Sequence, residues 1–285
     1  RYSTIQKAVA DQRTDIPKEL QDSALRGMGG AGFPTGLKWS LVAKEQDPIK
    51  YIVCNADESE PGTFKDREVL LDLPHLVIEG MMLAAFAIGA KKGWVFIRHE
   101  YEAERQHLKR AIDQAYADGI LGQPIGDSEF KFDLDIFVSP GGYILGEETA
   151  LLECMEDKRG EPRNKPPFPG NKSLFGKPTI INNVETFAHA VGILNRGVKW
   201  WNDLGAEGHS GHKFLSVSGD IEKPGVYLLP MGTPLKELLE ICGGMKDGQK
   251  LKAIAPGGAS SNFLPASAID TPLDFSTLQE AGSML

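Results

Sequence analysis

An alternation of β-rich and helical runs between residues 51 and 138 constrains the fold more than any other feature of this chain. Tyr51-Ile-Val-Cys54 is a short β-rich run that ends at Asn55. Leu76 to Ala90 has the composition of a buried helix. Gly93-Trp-Val-Phe-Ile-Arg98 reads as a buried strand. Glu102 to Asp118 sets Ala103, Leu108, Ala111, Ile112 and Ala115 near one helical face. Phe130, Phe132, Leu134, Ile136 and Val138 alternate with polar or smaller partners, as a strand does. Strand, helix, strand, helix, strand predicts an α/β fold built on a parallel sheet. Ligands of such sheets bind beyond the carboxyl ends of the strands. Asn55 and Asp57 follow one such end, and Ser139-Pro-Gly-Gly-Tyr143 follows another before a helix opens near Gly146.

On either side the pattern is looser. Residues 1 to 25 are polar with one helical stretch, and Leu37 to Lys44 begins a helix. Residues 161 to 183 are rich in Pro, Gly, Asn and Lys and read as a long loop, a length that usually signals function or disorder. Val184 to Leu194 returns to helix. Near Gly211 the pattern changes. Lys213 to Ser218 and Gly225 to Leu229 read as strands, Leu235 to Cys242 as a helix capped by Gly243-Gly244, and Leu251 to Ala255 as a third strand. That order predicts a small β-grasp domain. The expected division is 1–205 for the α/β domain and 206–285 for the β-grasp domain.

Net charge excludes some partners. At −8, the chain repels nucleic acid and anionic membrane. The longest apolar run, His75 to Ala90, carries Glu79 and falls short of the about 20 residues a spanning helix needs. No direct membrane insertion is expected, and the lack of a signal peptide favours the cytoplasm. Cys54, Cys154 and Cys242 are too far apart for a metal or iron–sulfur motif and read as buried thiols. His209 and His212, in a Ser/Gly loop, read as surface histidines. Arg1 at the start and the apolar stop from Leu278 to Leu285 suggest a piece of a longer polypeptide.

Four segments carry chemistry. The first is Arg26-Gly-Met-Gly-Gly-Ala-Gly-Phe-Pro-Thr-Gly-Leu-Lys-Trp39. Its glycines let backbone N–H groups approach a phosphate, a following helix adds its positive end, and Lys38 adds a charge. A plain flexible turn explains the same glycines. The second, Asn55-Ala-Asp-Glu-Ser-Glu-Pro-Gly62, sets Asp57, Glu58 and Glu60 after a strand. These acids suit ligand hydroxyls or, less readily, a divalent cation, and a solvated acidic loop is the plain alternative. The third, Gly141-Gly-Tyr-Ile-Leu-Gly-Glu-Glu-Thr149, puts Glu147 and Glu148 at a helix start, to complement its dipole or to meet a ligand. The fourth runs from Arg163-Asn-Lys-Pro-Pro-Phe-Pro169 to Gly176-Lys-Pro-Thr-Ile-Ile-Asn-Asn-Val-Glu-Thr186. Lys165 offers a cation, Phe168 a stacking face, and Asn182 and Asn183 either caps or donors to a ring edge.

In this order the four segments resemble the NADH-oxidising flavoprotein subunit of respiratory complex I. Flavin subunits of NAD-dependent formate dehydrogenases and NAD-linked hydrogenases are relatives of it. The resemblance covers roughly residues 20 to 285. It implies a Rossmann-like FMN-binding domain followed by a small β-grasp, soluble-ligand-binding domain. It implies that Gly27, Gly29, Gly30 and Lys38 cradle FMN, with Asn55, Asp57, Glu58, Gly146, Glu147, Asn182, Asn183 and Thr186 completing the site. Phe33 would stack on the adenine of NADH, and Glu60, Glu148, Lys165 and Phe168 would contact the dinucleotide. Glu148 would act in hydride transfer by electrostatics and positioning. Electrons would then pass singly to iron–sulfur subunits of a multi-subunit NADH-linked complex, peripheral to a membrane. The full-length family carries a [4Fe–4S] cluster in a later helical domain, and its ligands are absent from this sequence. Met28 stands where the family usually has Arg, Leu41 where a second stacking aromatic often lies, and Leu145 where Cys is common. The rival reading is a degenerate docking or ligand-binding module of the same fold.

Overall fold

A computed structural model describes residues 1–285. The elements run α1 (Ser3–Ala10), α2 (Ile16–Asp22), α3 (Thr35–Lys44), β1 (Tyr51–Ala56), α4 (Lys65–Asp72), α5 (Pro74–Ile88), β2 (Lys92–Arg98), α6 (Glu102–Ala117), β3 (Asp133–Ser139), α7 (Glu148–Met155), β4 (Thr179–Asn183) and α8 (Val184–Arg196). Then come α9 (Val198–Asn202), β5 (His212–Val217), β6 (Gly225–Pro230), α10 (Leu235–Ile241), β7 (Ala253–Ile254), β8 (Leu264–Pro265) and α11 (Phe275–Glu280). The chain divides into two compact units. The first comprises Arg1–Gly29, Phe33–Ser59 and Asp66–Val198; the second comprises Gly30–Gly32, Glu60–Lys65 and Lys199–Leu285.

The first unit is the predicted α/β fold. Its four strands are all parallel, in the order β3-β2-β1-β4. Tyr51 pairs with Lys92 on one side and with Thr179 on the other. β1 is hydrophobic because both its faces are covered, as parallel strands require. Val53, Phe96 and Ile181 pack with Leu151, Leu152 and Met155 of α7. Alternation turns Ile52 and Cys54 to the opposite face, where α5 and α8 lie against β1. No single helix is long and apolar enough to cross a membrane.

α5 explains the one carboxylate in the long apolar run. Glu79 accepts from the backbone N–H groups of Thr4 (2.8 Å) and Ile5 (3.1 Å), so it caps α1 from another helix. α5 begins with Pro74 in its first turn and stops at Gly89, whose φ of 78° is the left-handed cap conformation. All three cysteines are free and buried, as the spacing suggested.

Three expectations need correction in the first unit. Residues 1 to 25 hold two helices, α1 and α2. The stretch 161–183 is not loop throughout: Thr179–Asn183 forms β4 at the edge of the sheet. Five residues ending in two asparagines carry too little periodicity to announce a strand; pairing with β1 supplies what local propensity lacks. β3 starts at Asp133, so Phe130 and Phe132 precede it. Phe132 is buried and Phe130 packs edge-on against Phe86, which imitates strand alternation.

The second unit contains antiparallel β5-β6, with His212 opposite Pro230 and Val217 opposite Gly225. α10 ends as predicted at Gly243 and Gly244, both at φ 84°, and Gly244 N–H donates to Leu239 O at 2.9 Å. The expected third strand shortens to β7 and pairs with β8, not with β5 or β6. His212 is not a surface residue of a loop. It opens β5, and its ring stands edge-on to Trp201, 5.6 Å between centroids. His209 is also partly covered, its side chain 25% exposed and 3.8 Å from Asp274.

Candidate active site at the strand ends

The chain runs outward from β1 through β2 to β3, then returns to place β4 on the far side of β1. The crevice beyond the carboxyl ends of β1 and β4 is therefore the topological switch point of the sheet. Asn55 and Asn183 are register partners there. In the first unit, parts of all four chemistry-bearing segments gather round this point.

The glycine loop is closed by a bridge between Arg26 and Pro34 and by Gly27 N–H donating to Phe33 O at 2.8 Å. Met28 N–H donates to Thr186 Oγ at 2.9 Å, which ties the loop to the first turn of α8. A Cβ on Gly29 would lie 3.2 Å from the Cβ of Asn183. The backbone thus approaches β4 more closely than a larger residue comfortably allows. The Met28 side chain is 2% exposed, so it is a core residue and not a truncated cation. α3 follows directly. Its Lys38 Nζ donates to Ile181 O at 2.9 Å, stands 3.4 Å from Glu148 Oε2, and lies 6.0 Å from the Phe33 ring centre.

The acidic loop is engaged residue by residue. Asn55 Nδ2 donates to Gly146 O at 2.8 Å, and Asn55 Oδ1 accepts from Asp57 N–H at 3.1 Å. A Cβ on Gly146 would lie 3.2 Å from Asp57 O, so these two loops also touch through backbone. Asp57 accepts from the hydroxyls of Ser59 and Ser139. Glu58 accepts from Asp66 N–H (3.0 Å), Arg67 N–H (3.4 Å) and Tyr101 OH (3.1 Å). Its carboxylate is buried and caps α4. Within the second unit, Glu60 accepts from Ser260 N–H and Ser260 Oγ, both at 2.7 Å.

The Glu pair divides its labour. Glu147 accepts from Thr149 N–H and Ala150 N–H on one oxygen, both at 2.9 Å, and is the cap of α7, while its other oxygen lies 3.5 Å from Lys165 Nζ. Glu148 faces Lys165 Nζ at 2.9 Å on one oxygen and Lys38 on the other. Burial pushes the Glu148 carboxyl up, but the two lysines outweigh it and hold it below the ordinary Glu range. The Asn pair divides similarly. Asn183 caps α8 through Glu185 N–H at 2.9 Å and donates to Asp66 at 2.5 Å. Asn182 accepts from Trp39 Nε1 at 2.9 Å. Phe33 and Phe168 are 44% and 58% exposed, open aromatic faces rather than core.

Sequence reasoning placed Trp39 and Ser139 in its segments without a role, and missed Arg98, Tyr101 and Ser260. Arg98 ends β2 and donates to Glu58 O, with its guanidinium 5.3 Å from the Tyr101 ring centre. Trp39 ends the glycine motif and Arg98 ends a predicted strand, so position was a signal for those two. Nothing local marks Ser260.

Burial raises the Asp57 carboxyl above its ordinary value, although the Ser59 and Ser139 hydroxyls oppose the shift. The fold therefore disfavours the ionised form. Stability from this group is complete below the unfolded carboxyl pKa of about 3.9 and is lost as pH rises through the higher folded value. Asp57→Asn is expected to raise the melting temperature relative to the parent at pH 7, with the gain shrinking toward pH 4. Scanning calorimetry at both pH values checks this. A gain as large at pH 4 as at pH 7 would show that the carboxylate charge is not the cause.

A family model described as the Nuo51 FMN-binding domain (Complex1_51K) matches residues 20–191. The chain belongs to the Nuo51 FMN-binding family. A model for the SLBB domain matches residues 214–260, which agrees with the β-grasp expectation for the second part. NADH-quinone oxidoreductase subunits of Salmonella typhimurium and of Escherichia coli are each 45% identical to this chain over 287 aligned residues. The alignment covers all of this chain and 64% of each relative, so the chain spans just under two thirds of their length. A corresponding NADH-quinone oxidoreductase subunit of Rhizobium meliloti is 47% identical, with 68% of its length covered. Among solved structures, an NAD+-reducing [NiFe]-hydrogenase in the H2-reduced state aligns at a TM-score of 0.87 and 36% identity, over 100% of this chain and 47% of that one. The resemblance read from the four motifs is thus borne out for this member of the Nuo51 FMN-binding family.

Proposed function

We propose that this chain is the flavin module of an NADH dehydrogenase, holding FMN at the β1/β4 switch point and NADH beside it. The observation that carries the reading is convergence. Gly27, Gly29, Asn55, Asp57, Gly146, Asn182, Asn183 and Thr186 come from four separate segments, yet they meet at the carboxyl ends of two adjacent strands. The close backbone approaches at Gly29 and Gly146 fit a phosphate-and-sugar cradle built from main chain.

In this reading Gly27 and Gly29 present backbone to the phosphate, with Lys38 nearby. Asp57 accepts from ligand hydroxyls, as its acceptor-only carboxylate suits. Glu58, Glu147 and Asn183 support the site from behind by capping the helices that frame it. Gly30 and Glu60 are assigned by the family motif alone. Phe33 and Phe168 supply stacking faces for NADH, and Lys165 with Glu148 orients the dinucleotide. Bound FMN would accept a hydride from NADH and release electrons singly to iron–sulfur centres of a larger assembly. The protein's part is to place the rings and exclude competing reactions. A multi-subunit partner set and a membrane-peripheral location belong to the same proposal, as does a [4Fe–4S] cluster of the full-length subunit, whose ligands are not among these residues. The domain assignment is FMN and NADH binding in 1–205 and the SLBB fold in 206–285.

The decisive experiment adds FMN and then NADH to the purified chain without oxygen. Bleaching of the visible flavin band is the expected result. Bound flavin that stays coloured with NADH defeats the hydride-transfer reading. A protein that stays colourless with added FMN supports the alternative, a degenerate docking module.

A further inference from the structure

The two neighbouring asparagines at the end of β4 differ in one respect. Asn183 is occupied at both ends of its amide, by Glu185 N–H and by Asp66. Asn182 is occupied at one end only. Its Oδ1 accepts from Trp39 Nε1 at 2.9 Å, and its Nδ2 donates to no protein atom. Asn182 is 5% exposed and Trp39 is fully buried.

The indole N–H is a donor and never an acceptor. Whichever way an amide is drawn at a site like this, the oxygen must face the indole and the NH2 must face away. The Asn182 amide nitrogen is not among the buried polar atoms left without a partner, so it reaches the open crevice and can meet an outside acceptor there.

We infer that Trp39 is a positioning residue for the flavin: by holding the Asn182 carbonyl, it makes Asn182 a donor-only contact to an acceptor edge of the isoalloxazine ring. This rests on the FMN reading above and goes beyond it in one respect. It separates Asn182, a ligand donor, from Asn183, a scaffold residue, and names the buried group that sets the polarity. The carbonyl and ring-nitrogen acceptors of a flavin gain negative charge on reduction. A donor held toward them favours the reduced form, whereas a flipped amide would present its oxygen and oppose it.

The test removes the indole N–H and reads the flavin. Trp39→Phe keeps an aromatic ring near Phe187, whose centroid lies 6.4 Å from that of Trp39. Because the smaller ring leaves space in the core, a second protein carries benzothienylalanine at position 39, with sulfur in place of N–H at nearly the same volume. FMN dissociation constants and flavin midpoint potentials are measured for the parent and both variants. The expected result is FMN binding weaker by about threefold to tenfold, the loss that matches one ordinary hydrogen bond. The midpoint potential shifts to more negative values in both variants. A purely structural Trp39 would lower the melting temperature and leave the potential of bound flavin unchanged. An unchanged potential in the benzothienylalanine protein overturns the inference while leaving the FMN reading intact. A parent that takes up no FMN overturns both.

Discussion

Glu148→Gln is expected to lower kcat/KM for NADH by about a hundredfold, equivalent to roughly 2.7 kcal/mol of transition-state stabilisation. Glu148 is the carboxylate that bridges Lys38 and Lys165, at 3.4 Å and 2.9 Å. Glutamine keeps the shape but removes the charge. It leaves two half-buried ammonium groups facing one another across a neutral amide, which a buried ion-pair network tolerates poorly. The lysines then have reason to turn toward the phosphates of the dinucleotide. The expected signature is therefore a lower kcat with KM unchanged or reduced, not a simple rise in KM. FMN affinity should change little, because Glu148 lies on the dinucleotide side of the proposed site. Anaerobic stopped-flow reduction of the flavin at several NADH concentrations separates the two constants. A kcat/KM within twofold of the parent would remove Glu148 from the reaction.

The second large effect concerns stability, far from the chemistry. Gly80 lies inside α5, where an added methyl should help: Ala is favoured over Gly in a helix by about 1 kcal/mol. Here the sign should reverse. A Cβ at position 80 would come within 2.2 Å of Phe187 O and 2.6 Å of Phe187 C in α8. The obstacle is backbone, which cannot rotate aside, so the two helices must separate. Overpacking of this kind costs typically about 1–3 kcal/mol, and the upper end or beyond is expected for Gly80→Ala. At roughly 2–4 °C per kcal/mol for chains of this order of size, that is a loss of about 6–12 °C. Thermal unfolding followed by circular dichroism checks it. An unchanged or higher melting temperature would mean that α5 and α8 are not packed as closely as described.

Much of this molecule is legible in its residues, for identifiable reasons. β1, α5, β2 and α6 are long or strongly patterned, and the pattern places each within a few residues of its observed bounds. The site is legible as composition, since glycine, paired acids and paired asparagines at strand and helix ends have few uses. β4 is not legible. Thr179–Asn183 is short and ends in two amides, and it is a strand because β1 offers it a partner. The histidines fail for the opposite reason. A Ser/Gly setting suggests solvent, and nothing in it reveals that Trp200 and Trp201 stand beside His212.

The amino-acid sequence by itself determined the fold class, the order of most elements and the family, because these depend on periodicity and on motifs that are local. It also determined which residue types gather at the carboxyl ends of β1 and β4. Their roles were decided only in three dimensions. Glu147 and Glu148 are neighbours with the same side chain, yet one caps a helix and only touches Lys165, while the other sits between two lysines. Asn182 and Asn183 differ in the same way. The physical reason is directional. A carboxylate or amide has a few lone pairs and N–H groups, and what they do depends on which partners lie within about 3 Å. Those partners, Lys38, Lys165, Trp39 and Asp66, are brought from more than a hundred residues away in sequence, or from across the α7 loop, by the packing of the sheet and its helices.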